Sequence, residues 1–173
     1  MDDEQRLIRA ARAGNADAAE TLVRRHFRHA WRAAYAITGR REAADDAVQD
    51  AFERLFRTLD RFDDARPLAP WLHRIVVNCA LSGLRSEART RSLSPALSAG
   101  PLSDPHLAAG VSEALEALST LDADKRAVVA LRLLLGYTSK ETADILGTTE
   151  GTIHSRLSRA LEQIRVALGV HDV

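Results

Sequence analysis

Two small all-α domains joined by a flexible linker are what three features of this chain predict. Alanine, leucine and arginine dominate, aromatics make up only 5%, and β-branched runs are scarce, a composition that favours helix. Apolar residues recur at three- and four-residue spacing through most of the chain. Residues 92–106, SLSPALSAGPLSDPH, break that rhythm and carry three of the five prolines. That segment reads as the linker.

The elements follow in order. Residues 2–13 form a first helix that ends at Gly14. Asn15 or Asp17 starts a long amphipathic helix reaching Thr38, closed by Gly39. A third helix runs from Glu42 to Leu59. A fourth runs from Pro70, a residue suited to a first turn, to Ala88. Beyond the linker come a helix over 107–119, another from Asp122 to Leu135, and a final helical pair. The first domain is then residues 1–91 and the second 107–173, each large enough for a small core.

The final pair has the spacing of a helix-turn-helix. Thr138 and Glu141 form a capping box that opens a short helix, and Gly147 stops it. Ala143, four residues before that glycine, lets a second helix cross closely, and Ile153, six after it, supplies the apolar anchor. Ile153, Leu157, Ala160, Leu161, Ile164 and Leu168 make an inward stripe. The opposite side carries Ser155, Ser158, Arg159 and Glu162, flanked by His154 and Arg156. Serine and arginine near a helix N-terminus suit base edges and phosphates, though a plain solvated face is also polar.

Charge limits what this pair does alone. Lys+Arg and Asp+Glu both number 24, so the net charge is zero. That argues against autonomous, charge-driven DNA binding. The balance is patchy, because residues 66–91 hold five arginines against the single acid Glu87. A basic segment in a neutral chain implies that a partner shares the work. Cys79 is the only cysteine, so an intramolecular disulfide is impossible, and its apolar neighbours make it a core thiol. No segment has the features of a signal peptide or approaches the ~18 apolar residues of a membrane span. The expectation is a cytoplasmic protein.

The third and fourth helices are the unusual ones. Val48, Ala51, Phe52, Leu55, Phe56 and Leu59 form the inner stripe of the third, with Asp46, Asp50, Glu53 and Arg57 opposite and Gln49 at the edge. Such carboxylates could be a solvated surface or could serve acid–base or metal chemistry. No histidine or phosphate loop accompanies them, so neither an active site nor a metal or cofactor is expected. The fourth helix, PWLHRIVVNCALSGLRSEAR, is apolar on two faces and lines Arg74, Asn78, Ser82, Arg85 and Arg89 along a third. That row suits a nucleic-acid backbone beside unstacked bases, or equally a buried helix with a snorkelling edge.

Taken together, ADDAVQDAFERLFR (44–57), PWLHRIVVNCA (70–80) and GTIHSRLSRALEQIR (151–165) make the chain resemble the extracytoplasmic-function group of bacterial RNA polymerase sigma factors, two-domain members of the sigma-70 family. The resemblance covers residues 5–168. It implies a promoter-specificity subunit with no catalysis of its own. The acidic face, Asp46, Gln49, Asp50 and Glu53, would dock on the coiled coil of the polymerase β′ subunit. Phe62, Trp71, Arg74, Asn78 and Arg85 would meet the melted minus-ten element, with Trp71 bracing the loop before the fourth helix. Thr152, His154, Ser155, Arg156 and Arg159 would meet the minus-thirty-five element. Further implied partners are the β flap and an anti-sigma factor, with the free chain monomeric.

The chain departs from the family pattern at Ser82, where an acid is common, at His154, where lysine or arginine is usual, and at Asp122, where proline is usual. Two other readings remain: an autonomous, dimeric operator-binding regulator, and a sigma-like adaptor that binds polymerase without opening promoters.

Overall fold

The computed structural model describes residues 3–93 and 116–169. Every regular element among them is helical. The helices are α1 (Asp3–Arg12), α2 (Ala16–Thr38), α3 (Arg41–Thr58), α4 (Leu68–Leu93), α5 (Ala123–Val129), α6 (Ser139–Leu146) and α7 (Glu150–Ala167). A 3-10 turn, Leu59–Arg61, follows α3, and a π-helical turn, Ala130–Leu134, continues α5. Residues 116–119 are helical too.

Local chemistry explains most boundaries. Asn15, rather than Asp17, caps α2 by accepting the Ala18 N–H at 2.9 Å. Gly39 ends that helix with φ 70°, a left-handed conformation that costs glycine little. α4 starts at Leu68, two residues before the expected Pro70. The proline falls within the first turn, where N–H groups lack intrahelical acceptors anyway. The Glu4 carboxylate, reaching over from α1, accepts the Leu68 N–H at 3.4 Å and places negative charge at the positive end of the helix.

α4 also runs past Ala88 to Leu93, because no glycine or proline intervenes before Pro95. Ser92 and Leu93 therefore belong to this helix and not to the linker. The rest of the expected linker, and the helix expected over 107–115, lie outside the described residues. α5 is shorter than the expected Asp122–Leu135 helix: it is capped by Asp122 and passes at Ala130 into the π turn, where the Leu135 N–H bonds to the Ala130 carbonyl at 3.0 Å.

Packing joins the two halves more closely than a tether would. Leu22, Ile37, Leu55, Leu72 and Val76 are fully buried among α2, α3 and α4. The helix-turn-helix has only small clusters of its own, Val128 with Ala143 and Ile153, and Leu121 with Val129 and Ala160. Clusters of that size leave much apolar surface uncovered. Ala127, Ala130, Leu131 and Ile145 accordingly join the core of the first half. The two helical units expected from the sequence are present, and they share one apolar cluster in addition to the small clusters of the second.

The inward stripe of α7 needs a correction as well. Ile153 and Ala160 are buried, but Leu161 is 43% and Leu168 38% exposed. α7 has 18 residues against eight in α6; past Ala160, Ile164 still packs on Leu121 and Val129, while Leu161 and Leu168 face outward.

The capping box at α6 is complete. The Thr138 hydroxyl accepts the Glu141 N–H at 3.2 Å, and the Glu141 carboxylate accepts the Thr138 N–H at 2.8 Å. The Thr138 N–H, and after it the Thr138 hydroxyl donating to the same carboxylate at 2.7 Å, hold the Glu141 carboxyl below its ordinary pKa. A depressed acid stabilises the fold above its unfolded pKa, and the gain is lost as pH falls through the lower folded value. Thr138→Ala should cost about 1 kcal/mol in denaturant unfolding at pH 7. The penalty should shrink in acid, as the Glu141 carboxyl takes up its proton; a penalty unchanged by acid would remove Glu141 from the account.

Candidate functional site

α3 is fixed to α2 through its inner and lateral contacts. The Trp31 indole donates to Asp45 at 2.6 Å, Trp31 stacks on Tyr35 at 4.9 Å, and the Arg41 guanidinium lies 5.9 Å above the Trp31 ring. With Val48, Ala51, Phe52 and Leu55 buried inward, Asp46, Gln49, Asp50 and Glu53 all face solvent. The Gln49 amide donates to Glu53 at 3.2 Å. Asp46 and Asp50 also border a cleft of about 320 Å³ whose other wall is Ser82, Gly83 and Ser86 of α4. The acidic face is thus beside a notch made by small residues, which spacing along α3 alone could not reveal. Among the described residues no cluster of His, Cys, Asp and Glu is arranged to hold a metal.

The loop before α4 is held from an unexpected direction. Arg12 on α1 donates to the Leu59 carbonyl at 2.9 Å and to the Phe62 carbonyl. Arg9 donates to Asp64 at 2.7 Å, and that hydrogen bond above all holds the Asp64 carboxyl below its usual range. The sequence shows these arginines only as helix-face charges, and nothing in the spacing links them to a loop some fifty residues on. Phe62 is buried and stacks on Trp71 at 4.8 Å. Trp71 is half-buried, with its ring braced from below.

From Trp71 the polar row extends along α4. Arg74, Asn78, Ser82, Arg85 and Arg89 are all exposed, as their spacing predicts. Arg54, Arg57 and Arg61 line a shallow hollow of about 420 Å³ with Trp71, Ile75 and Asn78. Three cations and an indole edge around one concavity attract a polyanion and offer a stacking surface. Cys79, by contrast, is buried, and burial pushes its thiol pKa up, as befits a core thiol.

The second unit presents the N-terminal half of α7. Thr149 caps it, accepting the Thr152 N–H at 3.3 Å. Thr152 is half-buried beside this cap, and the Ser155 hydroxyl turns back to the Thr152 carbonyl at 3.1 Å. His154, Ser155 and Arg159 are exposed. Arg156 is partly occupied, its guanidinium 3.3 Å from Asp124 of α5. Arg159 has no ion-pair partner among the described residues.

Comparison with known proteins agrees with this arrangement. Residues 22–90 match the family Sigma-70 region 2, and residues 112–164 match Sigma-70, region 4. The ECF RNA polymerase sigma factor SigM of Mycobacterium tuberculosis is 36% identical over 164 residues, which span 94% of this chain and 83% of that protein. SigL of the same species is 31% identical over 170 residues, covering 91% of this chain and 96% of SigL. The sigma factor RpoE of Bartonella quintana, solved with the anti-sigma factor NepR, superimposes with a TM-score of 0.75 at 25% identity, over 88% of this chain and 98% of that one. CnrH, solved with the cytosolic domain of CnrY, gives a TM-score of 0.72 at 27% identity, over 99% of this chain and all of CnrH.

A basic, aromatic-bearing helical unit followed by a helix-turn-helix unit, matched in that order by these two family regions, makes the chain a transcription initiation factor that confers promoter specificity. The chain belongs to the sigma-70 family of RNA polymerase sigma factors, within its extracytoplasmic-function group.

Proposed function

We propose that the first unit, residues 1–91, docks on the coiled coil of the β′ subunit through Asp46, Gln49, Asp50 and Glu53, and meets the minus-ten element through Trp71, Arg74, Asn78 and Arg85. Phe62 then acts from beneath, its ring holding Trp71 in place. The second unit, residues 107–173, meets the minus-thirty-five element through Thr152, His154, Ser155, Arg156 and Arg159, with the β flap as its polymerase contact. The observation that carries this reading is the separation of chemistries: one exposed acidic face, one exposed basic row and one exposed recognition helix on three different elements. Core polymerase supplies the catalysis, so the chain needs no cofactor of its own.

The solved complexes of RpoE with NepR and CnrH with CnrY support an anti-sigma factor as regulator here too. No described helix is long and apolar enough to cross a membrane, and the workplace of such a factor is the cytoplasm. Run-off transcription from a promoter library, with purified core polymerase, tests the whole reading. New start sites sharing two spaced motifs support it, and core binding without new starts would make the chain an adaptor instead.

Arg159 gives a finer test. Arg159→Ala should weaken binding to the minus-thirty-five element by about 1–3 kcal/mol if the guanidinium reads a base. A loss equal across all sequences would reassign it to phosphate.

A further inference from the structure

One helix grips the segment between α3 and α4 at three points. Near its start, the Arg12 guanidinium donates to the Leu59 carbonyl at 2.9 Å and to the Phe62 carbonyl. At its middle, Arg9 donates to Asp64 at 2.7 Å, and Arg12 lies 3.8 Å from the same carboxylate. At its end, Glu4 accepts the Leu68 N–H at 3.4 Å, while its other oxygen lies 2.8 Å from Nε2 of His26 on α2. Ile8, only 1% exposed, seats α1 in the core between these side chains. α1 thus lies antiparallel to the segment, as a splint. The stretch matching Sigma-70 region 2 begins at residue 22, so α1 falls outside it.

The three grips are unequal. The Arg9 side chain is 57% exposed, so its ion pair with Asp64 is screened and contributes little. The Leu68 hydrogen bond is long. The Arg12 side chain is only 22% exposed, and it places a cation at the end of the 3-10 turn, where the negative end of the helix dipole favours it. Its planar fork reaches two carbonyls at once, which a lysine ammonium, a point charge, does not reproduce. Through the Phe62 carbonyl it fixes the backbone of the residue whose ring stacks on Trp71 at 4.8 Å. Arg12, Phe62 and Trp71 therefore form one mechanical chain from α1 to the head of the basic row.

We propose that Arg12 is a positioning residue for the minus-ten element, preorganising the loop, and with it Trp71, to receive the melted strand. This role rests on the minus-ten assignment made above. A loop already ordered has little freedom left to lose when a strand arrives, so capture is tighter. Released from α1, the loop would have to be ordered by the strand itself. It would also tolerate bases that a fixed loop rejects.

Two variants and two readouts test the role. In a Trp31→Phe background Trp71 is the only tryptophan, and acrylamide quenching of the free chain reports how firmly its ring is braced. Arg12→Gln should raise that quenching. Holoenzyme carrying Arg12→Gln should bind a promoter fragment from the run-off screen, premelted over the minus-ten element, roughly tenfold more weakly. Its binding to a duplex minus-thirty-five fragment should not change. Arg12→Lys keeps the cation and should restore the unfolding midpoint, but not the capture of the premelted fragment. Capture recovered by lysine in step with stability would make Arg12 merely structural and overturn the proposal, as would quenching unmoved by Arg12→Gln. Trp71→Ala separates this role from the assignment beneath it. If Trp71→Ala weakens capture and Arg12→Gln does not, the positioning role alone falls. If neither weakens it, the minus-ten assignment of Trp71 falls as well.

Discussion

Asp50→Arg combined with Glu53→Arg should lower the affinity for core polymerase by about a hundredfold or more, because like charges facing each other across an interface cost several kcal/mol. Both side chains are exposed on α3, and neither Asp50 nor Glu53 supports the apolar stripe beneath. Helix content and the unfolding midpoint should therefore stay near those of the parent chain. A titration with fluorescent core enzyme gives the affinity, and circular dichroism checks the fold. Unchanged affinity in a folded variant would dismiss the acidic face as a docking surface.

The opposite side of the same helix should behave in the reverse way. Leu55 is fully buried between α3 and its neighbours. Leu55→Ala removes apolar volume from a site that cannot fully collapse, and should cost about 2–5 kcal/mol in denaturant unfolding. Core affinity, corrected for the folded fraction, should barely change, since the outer face is untouched. A cost below 1 kcal/mol would mean that α3 is only loosely seated, and the first variant would lose its meaning as a surface probe. The two variants thus separate the stability carried by one side of the helix from the docking proposed for the other.

Much of this was readable from residue order, for identifiable reasons. The capping box, the turn glycines at 39 and 147 and the buried Ile153 are local features, set by a few neighbouring residues. The polar row on α4 and the carboxylate face on α3 follow from helical periodicity alone. The errors arose where distant residues intervene. The start of α4 depends on Glu4, which no window around Pro70 contains. The loop at Phe62 depends on Arg9 and Arg12.

Leu161 and Leu168 keep the period of a buried stripe, yet among the described residues nothing buries them. Periodicity reports which residues share a side, not whether anything lies against it. The shared cluster of Leu131 and Ile145 with the first unit was hidden for the same reason. Nothing in residue order singles out His73, and only the fold shows that it meets Tyr137.

Arg156 and Asp124 deserve a last thermodynamic consideration. In the proposed minus-thirty-five contact, an arginine held 3.3 Å from a carboxylate would reach DNA already partly neutralised. Taking up a phosphate then means exchanging one anion for another, and fewer condensed ions leave the duplex than a bare guanidinium would displace. On that reading Asp124 would act as a placeholder, aiming the side chain before the target arrives and flattening its response to ionic strength. Within one recognition helix, a neighbour without such a partner feels the salt of the cell more keenly than Arg156 does.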